Sequence, residues 1–248
     1  MGRQGTTFTT RMIMNSLSEE RRNIFDSFCG ECNDRSYEKI EDIDKVLMFI
    51  NLPVLNDEDR LSLSHYSGFS YFDLNRAIKN KWTYEENGTQ ERFNEFKKYA
   101  EDLQNTIANN QASIGNVKVY RGVPLKYFRE YGINSLDELD SLKGQILVDQ
   151  GFVSTSLVED DCFYRKDPNN GINYNVMIEY SVPEEFTDGI VMVGESHFTG
   201  ESEYLINAWS LAQVSDVVRD GDGVIIKALL VPKYIYDDYY AMQAGRVK

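Results

Sequence analysis

Positive charge is in short supply in this chain. Its 248 residues carry 26 lysines and arginines against 40 aspartates and glutamates, a net charge of −14. Such a surface repels a phosphate backbone, which argues against nucleic-acid binding. Cysteine is scarce as well: Cys29, Cys32 and Cys162 are too few for a disulfide framework. Cys29 and Cys32 have the spacing of a redox pair, but no second pair completes a zinc site. His65 and His197, the two histidines, lie far apart. No metal centre is expected, and redox chemistry hardly more so. No apolar run approaches the roughly 18 residues of a membrane span. Prolines number five, and no Pro/Gly-rich linker, repeat or low-complexity tract divides the chain.

What is present suits a folded protein. Apolar residues make up 42% and aromatics 12%, enough for a sizeable core and too much for a disordered chain. Residues 1–14 are polar and lack the apolar middle of a signal peptide, so they are expected to be a flexible leader. Residues 15–112 read as helical. Ser16-Leu17-Ser18-Glu19 fits a capping box ahead of Ile24, Phe25 and Phe28. Ile40, Ile43, Leu47 and Ile50 recur at three or four residues, predicting an amphipathic helix over 36–50. Asn56 caps a short helix that Gly68 follows, Ser70 opens another with Leu74 and Ile78 on one side, and Thr89 begins the longest.

From Asn116 onward the period changes to two, and strands are expected over Val117–Gly122, Gly151–Ser156, Tyr174–Tyr180, Ile190–Val193, Tyr204–Trp209, Val214–Arg219 and Val224–Val231. Ser135–Leu142 suits a short helix between them. Asp220-Gly221-Asp222-Gly223 suits a hairpin turn; its ligand spacing is wrong for a calcium loop. The expected fold is α+β: a single domain over 15–248, with a helical lobe at 15–112 packed on a β-rich core at 113–248.

Three short stretches carry chemistry. In Gly200-Glu201-Ser202-Glu203-Tyr204-Leu205-Ile206, two carboxylates sit at i and i+2, on one face of a strand. Like charges so close are found where a cationic or sugar ligand uses them, or else form a solvated acidic turn. In Val117-Lys118-Val119-Tyr120-Arg121-Gly122, Arg121 falls in line with the core valines and needs an anion, either a ligand phosphate or an internal partner such as Glu203. Gly151-Phe152-Val153-Ser154-Thr155-Ser156 sets Phe152, Ser154 and Ser156 on one face. Those hydroxyls are either ordinary satisfied polar groups or holders of a carboxylate.

In this order, the three resemble the Arg-Ser-Glu class of mono-ADP-ribosyltransferases, which includes the enzymatic components of clostridial binary toxins and related bacterial and phage enzymes. The resemblance extends upstream to Tyr66-Ser67-Gly68-Phe69-Ser70-Tyr71-Phe72-Asp73-Leu74-Asn75-Arg76. It implies an ADP-ribosyltransferase-like fold, two packed β-sheets with an N-terminal helical lobe and an NAD cleft between. It also implies NAD as co-substrate, with Arg121 clamping its phosphates and the backbone of Gly122 binding the nicotinamide amide. Tyr66, Tyr71 and Asn75 line the adenosine and phosphate side in the same comparison. Ser154 then orients Glu203, the carboxylate set against the nicotinamide ribose, where a cation-like sugar forms as the glycosidic bond breaks. Glu201 receives the acceptor. In the family a glutamine there accompanies asparagine or other acceptors, so glutamate points to arginine.

Phe163 and Arg165 fall where the family carries a loop over the phosphates and nicotinamide, although their spacing from Ser154 is shorter than in binary-toxin members. Phe198, between glycines before the acidic pair, falls where the family reads its protein substrate; a buried loop anchor is the alternative. Gly122-Val123 stands where some members have a second arginine. The expected function is transfer of ADP-ribose from NAD to an arginine of a target protein, by a monomeric toxin or effector acting in the cytoplasm of a target or host cell. The alternatives are an NAD glycohydrolase and a non-catalytic NAD- or protein-binding module.

Overall fold

Helices open the chain because their starts are capped and their apolar residues recur at helical spacing. The structure, a computed structural model, describes residues 10–44, 52–79, 82, 88–164, 172–192 and 202–236. Helix α1 spans Thr10–Ser16 and α2 spans Glu19–Asn33. The cap of α2 is Ser18, whose hydroxyl accepts from the Arg21 N–H at 3.2 Å, with Glu19 and Glu20 favoured by the helix dipole in the first turn. Ser16, read from the sequence as the start of the box, instead closes α1 by donating to the Ile13 carbonyl at 2.6 Å. Ile13 is fully buried although it lies in the stretch expected to be a leader. It joins Phe25, Phe28, Cys29 and Cys32 against Ile146, Val148, Leu211, Leu229 and Val231. Apolar burial there outweighs the polar character of the flanking sequence.

The next helices are α3 (Asp57–His65), α4 (Tyr71–Ile78) and α5 (Gln90–Asn109). Asn56 and Asp59 cap α3 reciprocally, and Thr89 caps α5. Leu63, Leu74, Ala100, Leu103 and Ile107 form a second cluster with Phe152, Ile190 and Leu205. The two helical groups therefore cover different strands.

Those strands are β1 (Val117–Val123), β2 (Ile146–Asp149), β3 (Val153–Ser156), β4 (Val176–Val182), β5 (Gly189–Val191), β6 (Glu203–Ile206), β7 (Ser210–Asp220) and β8 (Gly223–Val231). They form one eight-stranded order, β2-β7-β8-β4-β1-β3-β6-β5. The joint between β1 and β3 is a single register pair, Tyr120 with Ser156, so the expected two sheets are present as a five-stranded and a three-stranded part linked at one point. Val119 and Tyr180 of the first part share the central core with Val153 and Tyr204 of the second. β7 and β8 close through the anticipated turn, where Gly221 takes a φ of 57° that suits glycine.

The helix expected over 36–50 starts later than read, at Ile43. Over 36–50, Glu38 bridges to Val117 and Ile40 bridges to Val158, both in extended pairing. Ile40 is buried in the central core, so its apolar spacing serves a strand-like contact. Leu47 and Ile50 lie outside the described residues.

Candidate functional site

Arg121 occupies β1 in the same row as Val117, Val119 and Val123, all part of the central core. It stands within that row with 23% of its side chain still accessible. Its guanidinium Nη1 lies 3.4 Å from Asp149 Oδ2, and the group stands 5.3 Å from the centre of the Tyr127 ring. Tyr127 donates its hydroxyl proton to the same Asp149 oxygen at 2.7 Å. Burial alone pulls the Arg121 pKa down, but Asp149 and the phenols of Tyr127, Tyr180 and Tyr66 leave it raised on balance. Asp149, at the end of a strand without alternation, is thus an internal partner of Arg121.

Two cavities meet at this arginine. One, of about 330 Å³, is lined by Tyr66, Tyr71, Arg121, Gly122, Ser154, Ser156, Asp161, Phe163, Tyr174 and Glu203, among others. The other, of about 430 Å³, shares Arg121, Gly122 and Tyr174 and adds Lys79, Lys126, Tyr127 and Asp149. Seven residues singled out from the sequence, Tyr66, Tyr71, Arg121, Gly122, Ser154, Phe163 and Glu203, therefore line one hollow. Asp149, Tyr127, Tyr174, Lys79 and Lys126 were not anticipated.

Tyr66 and Tyr71 reach the hollow through a local departure from α geometry. Between α3 and α4, Tyr66–Ser70 form a wide π-type turn in which Gly68 leaves helical geometry, with φ −81° and ψ −158°. The Tyr66 ring packs edge-on to Phe152 and lies 6.4 Å from Tyr71. Burial pushes the Tyr66 phenol up, Glu203 adds to the push and Arg121 opposes it, so the hydroxyl remains a proton donor at neutral pH.

Asn75 does not line either cavity among the described residues. Its carboxamide oxygen accepts from the Phe152 N–H at 2.8 Å, tying α4 to the start of β3.

Glu203 opens β6 and is 6% exposed. The residue opposite it on β3 is Ser156, while Ser154 faces Leu205. Ser154 shares its face with Ser156 and lies two pairs along from Glu203, whereas Thr155 points the other way and donates to the Tyr204 carbonyl at 2.6 Å. Phe163, 50% exposed, stacks at a tilt on Tyr174 with ring centres 5.7 Å apart. Glu201, Phe198 and Arg165 lie outside the described residues.

A dinucleotide has two halves joined by a pyrophosphate, and two hollows meeting at a guanidinium match that outline. The pattern of the ADP-ribosyltransferase exoenzyme family matches residues 33–231. The chain belongs to the ADP-ribosyltransferase exoenzyme family. NAD is the co-substrate of this ADP-ribosyltransferase, and the donors around Arg121 and Glu203 fit it. Among the described residues, no group of three or more His, Cys, Asp or Glu is arranged to hold a metal ion.

Solved structures share the fold. The C3 exoenzyme of Clostridium limosum is 17% identical, covers 79% of this transferase and 98% of itself, and superposes with a TM-score of 0.62. C3stau2 from S. aureus, solved with NAD, is 16% identical over 80% of this chain and 100% of its own, with a TM-score of 0.60. The ADP-ribosyltransferase Vis, solved with agmatine, is 16% identical over 89% of each chain, with a TM-score of 0.53. No curated protein matches the sequence.

Proposed function

We propose that this ADP-ribosyltransferase moves ADP-ribose from NAD to an arginine side chain of a target protein, as a monomeric toxin or effector acting in a target cell's cytoplasm. The observation that carries this reading is the nearly buried Glu203 carboxylate in the hollow that Arg121 also lines. Glu201, two residues earlier in the sequence, supplies the acidic partner that a guanidinium acceptor needs. The binding of agmatine, itself a guanidinium compound, by the fold-relative Vis supports the same acceptor chemistry.

Bound NAD supplies a ribose whose glycosidic bond breaks with the electron pair leaving on the nicotinamide nitrogen. Arg121 holds the pyrophosphate with its planar fork, kept in place by Asp149 and Tyr127. Glu203 sets fixed negative charge against the ribose as that bond opens, in a setting where water screens it poorly. Ser154 and Ser156 keep that carboxylate on the cavity face of β6. Tyr66 and Tyr71 pack along the bound nucleotide, Phe163 stacks over its exposed side, and the Gly122 backbone contacts the nicotinamide amide. Arg165 adds a phosphate contact. Glu201 orients the acceptor guanidinium and takes the proton lost when one of its nitrogens bonds to C1′ of the ribose. Phe198 contacts the target protein.

The test is labelled NAD with and without agmatine. Label appearing on agmatine, together with released nicotinamide, supports arginine transfer. Nicotinamide release that agmatine leaves unlabelled and unaccelerated assigns the protein as a glycohydrolase. Glu201→Ala is expected to abolish labelling of the guanidine while sparing most of the hydrolysis.

A further inference from the structure

Between the two glutamates stands a residue with a task of its own. Ser202 is 3% exposed. Its hydroxyl donates to Asp161 Oδ2 at 2.6 Å and accepts from the Val158 N–H at 3.2 Å. Its carbonyl accepts from the Leu157 N–H at 2.6 Å. Three hydrogen bonds thus fasten the chain immediately before Glu203 to the segment immediately after β3. That segment is itself held from outside: Ile40 bridges to Val158, and Lys39 Nζ lies 2.6 Å from Glu159 Oε2. Leu157, at its start, is fully buried in the central core.

Asp161 lines the same hollow as Glu203. A carboxylate there, left without its donor, would compete with Glu203 for cationic groups and move the loop that carries it. The bond to Ser202 gives that carboxylate a fixed partner and gives the Ser202-Glu203 backbone a fixed height above β3. We infer that Ser202 and Asp161 form a positioning pair, setting Glu203 at the depth in the cavity that the reaction requires. The inference rests on Glu203 being the carboxylate of the proposed reaction. Neither Ser202 nor Asp161 contributes to gripping the pyrophosphate, which lies with Arg121 on a different strand. Loss of the pair should therefore appear in kcat, with the KM for NAD nearly unchanged.

The experiment measures nicotinamide release over a range of NAD concentrations, with thermal melting of each variant. Ser202→Ala and Asp161→Ala are each expected to lower kcat by about tenfold or more, with KM within about threefold, since a displacement near 1 Å costs on the order of a hundredfold. Ser202→Thr, which keeps the hydroxyl, and Asp161→Asn, which keeps an acceptor oxygen, are expected to recover most of the rate. The double alanine variant should be no slower than the slower single, because both remove one interaction. Should Ser202→Ala fail to fold, Ser202→Cys replaces it, with similar volume and a weak donor.

Single variants that keep kcat within about twofold, or losses that multiply in the double variant, overturn the pair. So does a fall confined to KM and melting temperature. Glu203→Gln, assayed alongside, separates the two levels of the argument. If it retains turnover, the assignment of Glu203 fails; if it loses turnover while Ser202→Ala does not, only the positioning pair fails.

Discussion

Gly122→Ala is the substitution whose effect follows most directly from the coordinates. A Cβ built on Gly122 would lie 2.5 Å from the backbone nitrogen of Tyr164 and 2.7 Å from the carbonyl carbon of Phe163. The closer of these falls about 0.9 Å short of the 3.4 Å at which ordinary contact begins. Both neighbours are backbone, so no rotamer change relieves the overlap; the Phe163–Tyr164 segment must move. It is not free to move at low cost. The Tyr164 hydroxyl donates to Asp220 at 2.9 Å, and the Phe163 ring stacks on Tyr174. Overpacking of this kind costs roughly 1–3 kcal/mol of stability. A shift near 1 Å of Phe163, which lines the hollow holding Glu203, should lower kcat/KM for NAD by about a hundredfold.

The control is Gly30→Ala, on α2, where an added Cβ meets nothing within 4 Å. It should leave turnover unchanged and stabilise the protein by about 0.5–1 kcal/mol, because alanine loses less entropy than glycine in a helix interior. Nicotinamide release and thermal melting read both variants. Wild-type kcat/KM in Gly122→Ala would refute the claim that the close approach of Tyr164 to β1 shapes the cavity.

Other outcomes follow from the same geometry. Arg121→Lys should raise the Kd for NAD by about tenfold or more in a calorimetric titration, because an ammonium cannot reproduce a planar fork. Unchanged affinity would remove Arg121 from the phosphate site. Asn75→Ala should cost about 1–3 kcal/mol in denaturant melts by leaving the Phe152 N–H without its acceptor, with NAD affinity altered less than in Arg121→Lys. Cys29 should resist a thiol reagent at pH 8 in the folded protein and react in denaturant. Burial, with Cys32 and Asp26 adding to it, pushes its pKa up to about 12, and only the thiolate attacks.

The legible parts of this chain were those whose signal is local. Thr89 and Asn56 announce helix starts through their side chains, and Gly221-Asp222 announces a hairpin. The alternation in Val117–Val123 marks a strand and lines Arg121 up with the core. The parts that escaped depend on distant contacts. β2 is buried along its whole length, so Ile146–Asp149 has no polar face to betray a period of two. Asp149 consequently carries no local signal as the partner of Arg121, although a guanidinium in line with the core requires one. Ile40 and Ile43 keep helical spacing, yet Ile40 serves a bridge to Val158 because the central core captures it. Asn75 was recognisable as part of a motif, but its bond to a backbone 77 positions away was not. The pairing of Ser156 with Glu203 required the register, which single strands do not reveal.

The proposed role of Glu203 is to drive cleavage of NAD in a cavity that binds the dinucleotide through other groups. Its most direct test compares turnover and NAD affinity in Glu203→Gln, which keeps shape and removes charge. Nicotinamide release is expected to fall by at least about a hundredfold while the Kd for NAD stays within about threefold of wild type. Glu203→Gln protein that still cleaves NAD at the wild-type rate would contradict it.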